Sequence, residues 1–253
     1  MPRAKGENKQ KKEFISEEQM VTILDEIYDK VLDGIPKVSK PVSVLAEDYL
    51  KVDAPERASK KLINNQVLKC GTSGFITGLG GIITLPVTLP ANVTSVLYVQ
   101  MRMIAAVAYM GGFDINSDQV QTLVYACLTG SAIADIVKQA GIKVGEKFAV
   151  AAIKKIPGQV LVKINQKVGF RLLTKFGTKG ILNIVKLVPV AGGVIGGVID
   201  VASTKIIARN AYNLFIKNMI PADDSKENDD IFEAEFCDIT DDIPESDNLE
   251  NEE

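Results

Sequence analysis

The hydrophobic pattern is dominated by one feature, a run of 32 residues from Cys70 to Met101 that contains no charged side chain. Five glycines (Gly71, Gly74, Gly78, Gly80 and Gly81) open it, Pro86 and Pro90 interrupt it, and an unbroken apolar stretch from Ala91 to Met110 closes it. Two prolines four residues apart cannot sit inside one helix, because each removes an amide donor and clashes with the preceding turn. The pattern therefore predicts two helical arms, 71–85 and 91–110, joined by a Leu-Pro-Val-Thr-Leu-Pro bend. A helix of the second arm's length rises about 30 Å, which matches a bilayer's hydrocarbon core. Only Gly81-Ile82-Ile83-Thr84-Leu85 is ambiguous between helix and strand.

Elsewhere the elements are ordinary amphipathic helices. Ser16-Glu17-Glu18-Gln19 is a capping box, so a helix starts at Ser16 and ends near Leu32, before Gly34 and Pro36. A short helix follows Pro41, and another opens at Pro55 with Asp53 as its expected cap. Gly111-Gly112 ends the second arm; Ser117 and Asp118 then start a helix expected to run to Gln139, before Gly141. Helices over about 142–155 and 159–176 come next, one more ends at Pro189, and a last covers about 194–218. No alternating strand pattern is sustained, which makes the expected fold all-α: a single helical domain over 15–221. Gly74 and Gly78 lie one turn apart, and the spacing recurs as Gly192/Gly196 and Gly193/Gly197, so these glycines are expected to admit close helix packing.

Charge divides the chain into unlike parts. Residues 1–221 hold 28 Lys+Arg against 17 Asp+Glu, a net of +11, whereas residues 222–253 hold one lysine against 15 acids, a net of −14. The expectation is a disordered basic head over 1–14 and a disordered acidic tail over 222–253. Met1 to Lys12 is polar and basic with no apolar stretch after it, so no secretory signal is expected. Three widely spaced cysteines (Cys70, Cys127 and Cys237) read as reduced thiols.

The chain has no histidine. This removes Ser-His-Asp and Cys-His catalysis and nearly every zinc site; a histidine-free hydrolase using carboxylates or a Ser-Lys pair survives in principle, but no paired motif supports one, so neither an enzyme activity, a metal nor a cofactor is expected. Gly177-Thr178-Lys179-Gly180 lacks the order of a phosphate-cradling loop.

What remains is basic. Between Lys138 and Lys186 there are 11 Lys+Arg and a single acid, Glu146. Lys163, Lys167, Arg171, Lys175 and Lys179 recur every four residues along one slowly drifting helical stripe, with Lys154 and Lys155 just before them. Apolar residues such as Leu161, Ile164, Val168 and Leu172 occupy the other positions, the pattern of a helix lying on an anionic membrane surface. Nucleic acid is not expected as a partner, because Phe148, Phe170 and Phe176 are few and expected to be buried. Arg102 is the only charge between Lys69 and Asp114, and on the stripe of Asn92 and Ser95 it is expected to be buried and paired with Asp135 or Asp200.

The blocks Thr77-Gly78-Leu79-Gly80-Gly81 to Leu89-Pro90-Ala91-Asn92, Tyr98 to Ala106 and Gly111-Gly112-Phe113-Asp114 resemble the EcsC family of bacterial proteins. So does Val188-Pro189-Val190-Ala191-Gly192-Gly193, followed by Gly196-Gly197, Asp200 and the Ala211-x-x-x-Phe215 ending. The resemblance covers roughly residues 40–218, implies a helical, membrane-associated protein, and brings no catalytic residues with it. Together these readings lead to an expected protein of the cytoplasm, held at the inner face of the cell membrane by anionic lipid. Two further kinds of partner are a membrane protein and a second copy of the chain. A membrane-disrupting or pore-forming effector extends this reading; the alternative is a soluble scaffold or partner-binding protein whose hairpin is buried core.

Overall fold

The structure, a computed structural model, describes residues 15–71, 89, 91–143, 145, 147, 150–176 and 192–219. The basic head, the first hairpin arm with Gly74 and Gly78, the Pro86–Pro90 bend, Lys179, the helix ending at Pro189 and the acidic tail lie outside the described residues. Among those described there are nine α-helices, one 3₁₀ turn and no strand.

The Ser16 box forms as its spacing requires. Its Oγ accepts the Gln19 amide at 3.1 Å, and Gln19 Oε1 accepts the Ser16 amide at 2.8 Å, so two donors at the start of α1 (Glu17–Asp33) are satisfied. Met20, Ile23, Leu24, Ile27, Tyr28 and Val31 are buried, three to four residues apart on one stripe. Next come α2 (Val42–Leu50) and α3 (Pro55–Gly71). Asp53, just ahead of α3, pairs with Lys61 at 2.9 Å and Arg57 at 3.3 Å.

The second hairpin arm is α4 (Ala91–Met110), and it is the centre of the molecule. Apart from its single arginine it has no charge with which to make a solvent face, so it is buried all round, with α1, α2, α3, α5 and α9 packed against it. Of the stretch Val93–Met110, the one described helical segment long and apolar enough to cross a membrane, 94% is buried inside the protein. At its end Gly112 takes φ +79°; its amide donates to Tyr109 O at 2.9 Å and the Phe113 amide to Ala108 O at 3.1 Å, a Schellman closure. Gly111 has another reason to be glycine: a Cβ there would overlap the carbonyl oxygen of Phe215, where the C-terminal ends of α4 and α9 meet.

The helix expected from Asp118 to Gln139 is broken in two. Ser117 caps α5 (Asp118–Leu128), Gly130 turns to φ +63°, and a 3₁₀ turn over Gly130–Ala132 leads into α6 (Ile133–Gln139). The break is held from outside, because buried Asn210 on α9 donates its Nδ2 to the Gly130 carbonyl at 2.9 Å. Of the helix expected over 142–155 only one turn is described, α7 (Val150–Ile153). α8 (Gly158–Phe176) packs Leu161, Ile164, Val168 and Leu172 against α1 and α5, and α9 (Gly192–Phe215) packs between α3 and α4. Gly192, Gly193, Gly196 and Gly197 form the opening turns of α9.

Candidate functional site

Because Leu161, Ile164, Val168 and Leu172 commit one side of α8 to the core, the residues between them must form its outer face. Lys163 and Arg171 are exposed there, and Lys167 is half-buried beside them. Phe170 shares that face at 56% exposure, whereas Val162, also exposed, lines another groove with Glu17, Glu18 and Asn165. An exposed aromatic ring among cations is the combination that an interfacial helix presents to a membrane surface. The expectation that Phe170 is buried was wrong. Its position seven residues after Lys163 returns it to the same side of the helix, a signal already present in the spacing.

Lys163, Lys167 and Arg171 line an open groove of about 510 Å³ between α8 and α6, with Phe170 at its edge. Asp135 and Gln139 face them from α6, and Glu17 closes one end. Lys167 Nζ donates to Gln139 Oε1. Among the described residues no carboxylate stands within ion-pair distance of Lys163 or Arg171, nor of Lys154 and Lys155, which are exposed ahead of Pro157. Lys175 continues the stripe half-buried, with its ammonium 5.0 Å from the ring centre of Phe176. The structure thus gathers Lys163, Lys167 and Arg171 into one groove and places Arg171 and Lys175 together in a second. What such a surface can do is attract anions and bury a little apolar area at the same time.

The groove also corrects an expected ion pair. Asp135 is exposed on α6 and lines the basic groove, so it does not neutralise Arg102 in the core. Arg102 is buried, at 5% exposure, but its Nη2 donates to the backbone carbonyl of Lys40 at 3.3 Å, while Nε has no hydrogen-bond partner among the described residues. Asp200 falls on α9.

Other reactive groups are structural. Cys127 is fully buried, which pushes its thiol up and holds it protonated. Asp25 on α1 accepts from Tyr125 at 2.7 Å and from Gln121 at 3.0 Å across the interface with α5. Burial raises its carboxyl above the usual range, with Asp29 and Asp118 adding to the effect and the two hydrogen bonds opposing it. Among the described residues no group of three His, Cys, Asp or Glu side chains could hold a metal ion.

Set beside known proteins, the chain matches the family model described as the EcsC protein family over residues 7–219. The match takes in α1, ahead of the blocks in which the resemblance is legible by eye. No curated protein and no solved structure matches the chain.

Proposed function

As a member of the EcsC protein family, this chain has a fold without an assigned chemistry, and from that premise we propose that it attaches to anionic membrane surfaces through the outer face of α8. The observation that carries the reading is the placement of exposed Phe170 among Lys163, Lys167 and Arg171 on one helix face. Each cation near an anionic bilayer contributes about 1 kcal/mol, and an exposed aromatic adds burial at the headgroup boundary. The attachment is peripheral: five helices wrap α4, so inserting it would first require dismantling the core. No catalytic step is part of this reading, and the expected site of action is the inner face of the cell membrane.

Co-sedimentation with liposomes tests it. The full chain should bind phosphatidylcholine vesicles containing phosphatidylglycerol and not pure phosphatidylcholine, with binding falling as salt shortens the screening length from about 8 Å at 0.15 M to about 3 Å at 1 M. Replacing Lys163, Lys167 and Arg171 together by glutamine should weaken binding by roughly a hundredfold, on the order of 3 kcal/mol. Binding that ignores salt and these three substitutions sinks the proposal. The burial of α4 favours a second reading, a soluble partner-binding scaffold. The same assay selects it if the wild-type chain leaves anionic vesicles unbound.

A further inference from the structure

Asp135 is out of place on a surface whose only task is to attract anions. It lies in the first turn of α6 and is exposed, and it lines the same groove of about 510 Å³ as Lys163, Lys167 and Arg171 of α8, with Glu17 of α1 at one end. Lys167 is engaged by Gln139. Among the described residues the side chains of Asp135, Lys163 and Arg171 make no ion pair and no hydrogen bond, with one another or with any neighbour. The two walls therefore present opposite charges across an open space instead of closing on each other. A headgroup that is only anionic gains from the α8 wall and is repelled by Asp135, whereas a ligand carrying both signs satisfies both walls at once.

From this we infer that the groove recognises a lipid headgroup in which a phosphate diester is joined by a short linker to a primary ammonium, the chemistry of phosphatidylethanolamine. Lys163 and Arg171 hold the phosphate, whose oxygens suit a guanidinium fork beside an ammonium point charge. Asp135 accepts from the ligand's ammonium, which has three N–H donors to offer a group that can only accept. A quaternary ammonium has no such donor and is held by a cage of aromatic rings, but Phe170 is the single ring among the residues lining this groove. Its exposed position at the groove's edge sets the mouth at the boundary where acyl chains begin, which favours a lipid over a soluble diester as the source. The volume falls within the range of small-ligand sites. The inference rests on the membrane reading for the surface and adds the identity of the headgroup.

The test uses the full chain and two vesicle populations with the same fraction of phosphatidylglycerol and equal measured surface potential, one completed with phosphatidylethanolamine and the other with phosphatidylcholine. The wild-type chain should bind the first about fivefold more tightly, the scale of one exposed charge pair. Asp135→Asn should abolish that preference while still binding both populations. Glycerophosphoethanolamine and glycerophosphocholine, compared by titration calorimetry, give a readout free of bilayer packing, and the wild-type chain should prefer the former and Asp135→Asn neither. Circular dichroism checks that the variant folds, and the comparison of the two lipids by the wild-type chain needs no variant. Equal binding of the two vesicle populations overturns the inference and leaves the membrane reading standing, as does a preference for phosphatidylethanolamine that survives Asp135→Asn. A chain that ignores every vesicle yet prefers glycerophosphoethanolamine keeps the headgroup site and loses the membrane reading. One that neither binds vesicles nor separates the two soluble diesters loses both.

Discussion

Arg102 carries a guanidinium into the core with a carbonyl, and no carboxylate among the described residues, for company. A charge buried on such terms is costly, and an apolar side chain of similar length removes both the charge and the unpartnered Nε. Arg102→Met should therefore leave the protein closer to wild-type stability than Arg102→Ala, which opens a cavity and is expected to cost about 2–5 kcal/mol. Urea denaturation of both variants checks the order, and equal losses would mean that the charge itself is needed. At Asp25 the question is pH. Its carboxyl is raised in the folded protein, so the folded state holds that proton more tightly than the unfolded chain. The contribution is full below the unfolded value and is lost as pH rises through the folded one. Asp48, lowered chiefly by its hydrogen bond from Lys51, acts in the opposite sense, contributing above its unfolded value and losing that as pH falls through the folded one. Asp25→Asn keeps an acceptor for Tyr125 and Gln121 without the buried charge. It should be at least as stable as wild type at pH 7, and that advantage should shrink as pH falls through the folded value of Asp25, leaving the variant with the steeper decline on the acidic side, as a pH series of thermal melts will show.

At the level of elements, two adjacent glycines separate two physical demands. Gly112 needs its positive φ but has open space around it, so Gly112→Ala should cost about 1–2 kcal/mol, the strain of the left-handed backbone. Gly111 has no such dihedral, yet a Cβ would strike the Phe215 carbonyl, which belongs to a helix end and cannot rotate away. Gly111→Ala should accordingly force α4 and α9 apart and cost as much or more, about 1–3 kcal/mol or above. Gly169 is a milder case of the same kind, with the Glu17 carbonyl of α1 2.8 Å from where its Cβ would lie. Thermal melts of the three alanine variants check this reading, and a silent Gly111→Ala would contradict the close approach of α4 to α9. Gly112 and Gly141 were legible as helix ends because the Schellman closure involves only neighbours. Close approaches at Gly111 and Gly169 were not, since each depends on a carbonyl more than a hundred residues distant. Gly130 was missed for a similar reason, its turn being braced by Asn210.

For the whole molecule, charge asymmetry supplies the remaining prediction. Residues 222–253 carry −14 and residues 138–186 carry +10, and a chain of 32 residues, if flexible, reaches on the order of 30 Å. A tail that visits the basic face competes there with anionic lipid at high local concentration. Deleting 222–253 should tighten liposome binding, most at low ionic strength; equal affinities across a salt series would rule out this competition. The sequence by itself determined helix content, the capping at Ser16 and Ser117, the ends at Gly112 and Gly141, and the division of charge. All of these arise from residues within a turn or two of one another, or from composition alone. Which apolar helix becomes the core and where Arg102 finds an acceptor were decided only by tertiary packing. Burial is a property of surfaces brought together from distant parts of the chain, and an apolar run of α4's length satisfies a bilayer and a protein interior equally well until its neighbours are in place.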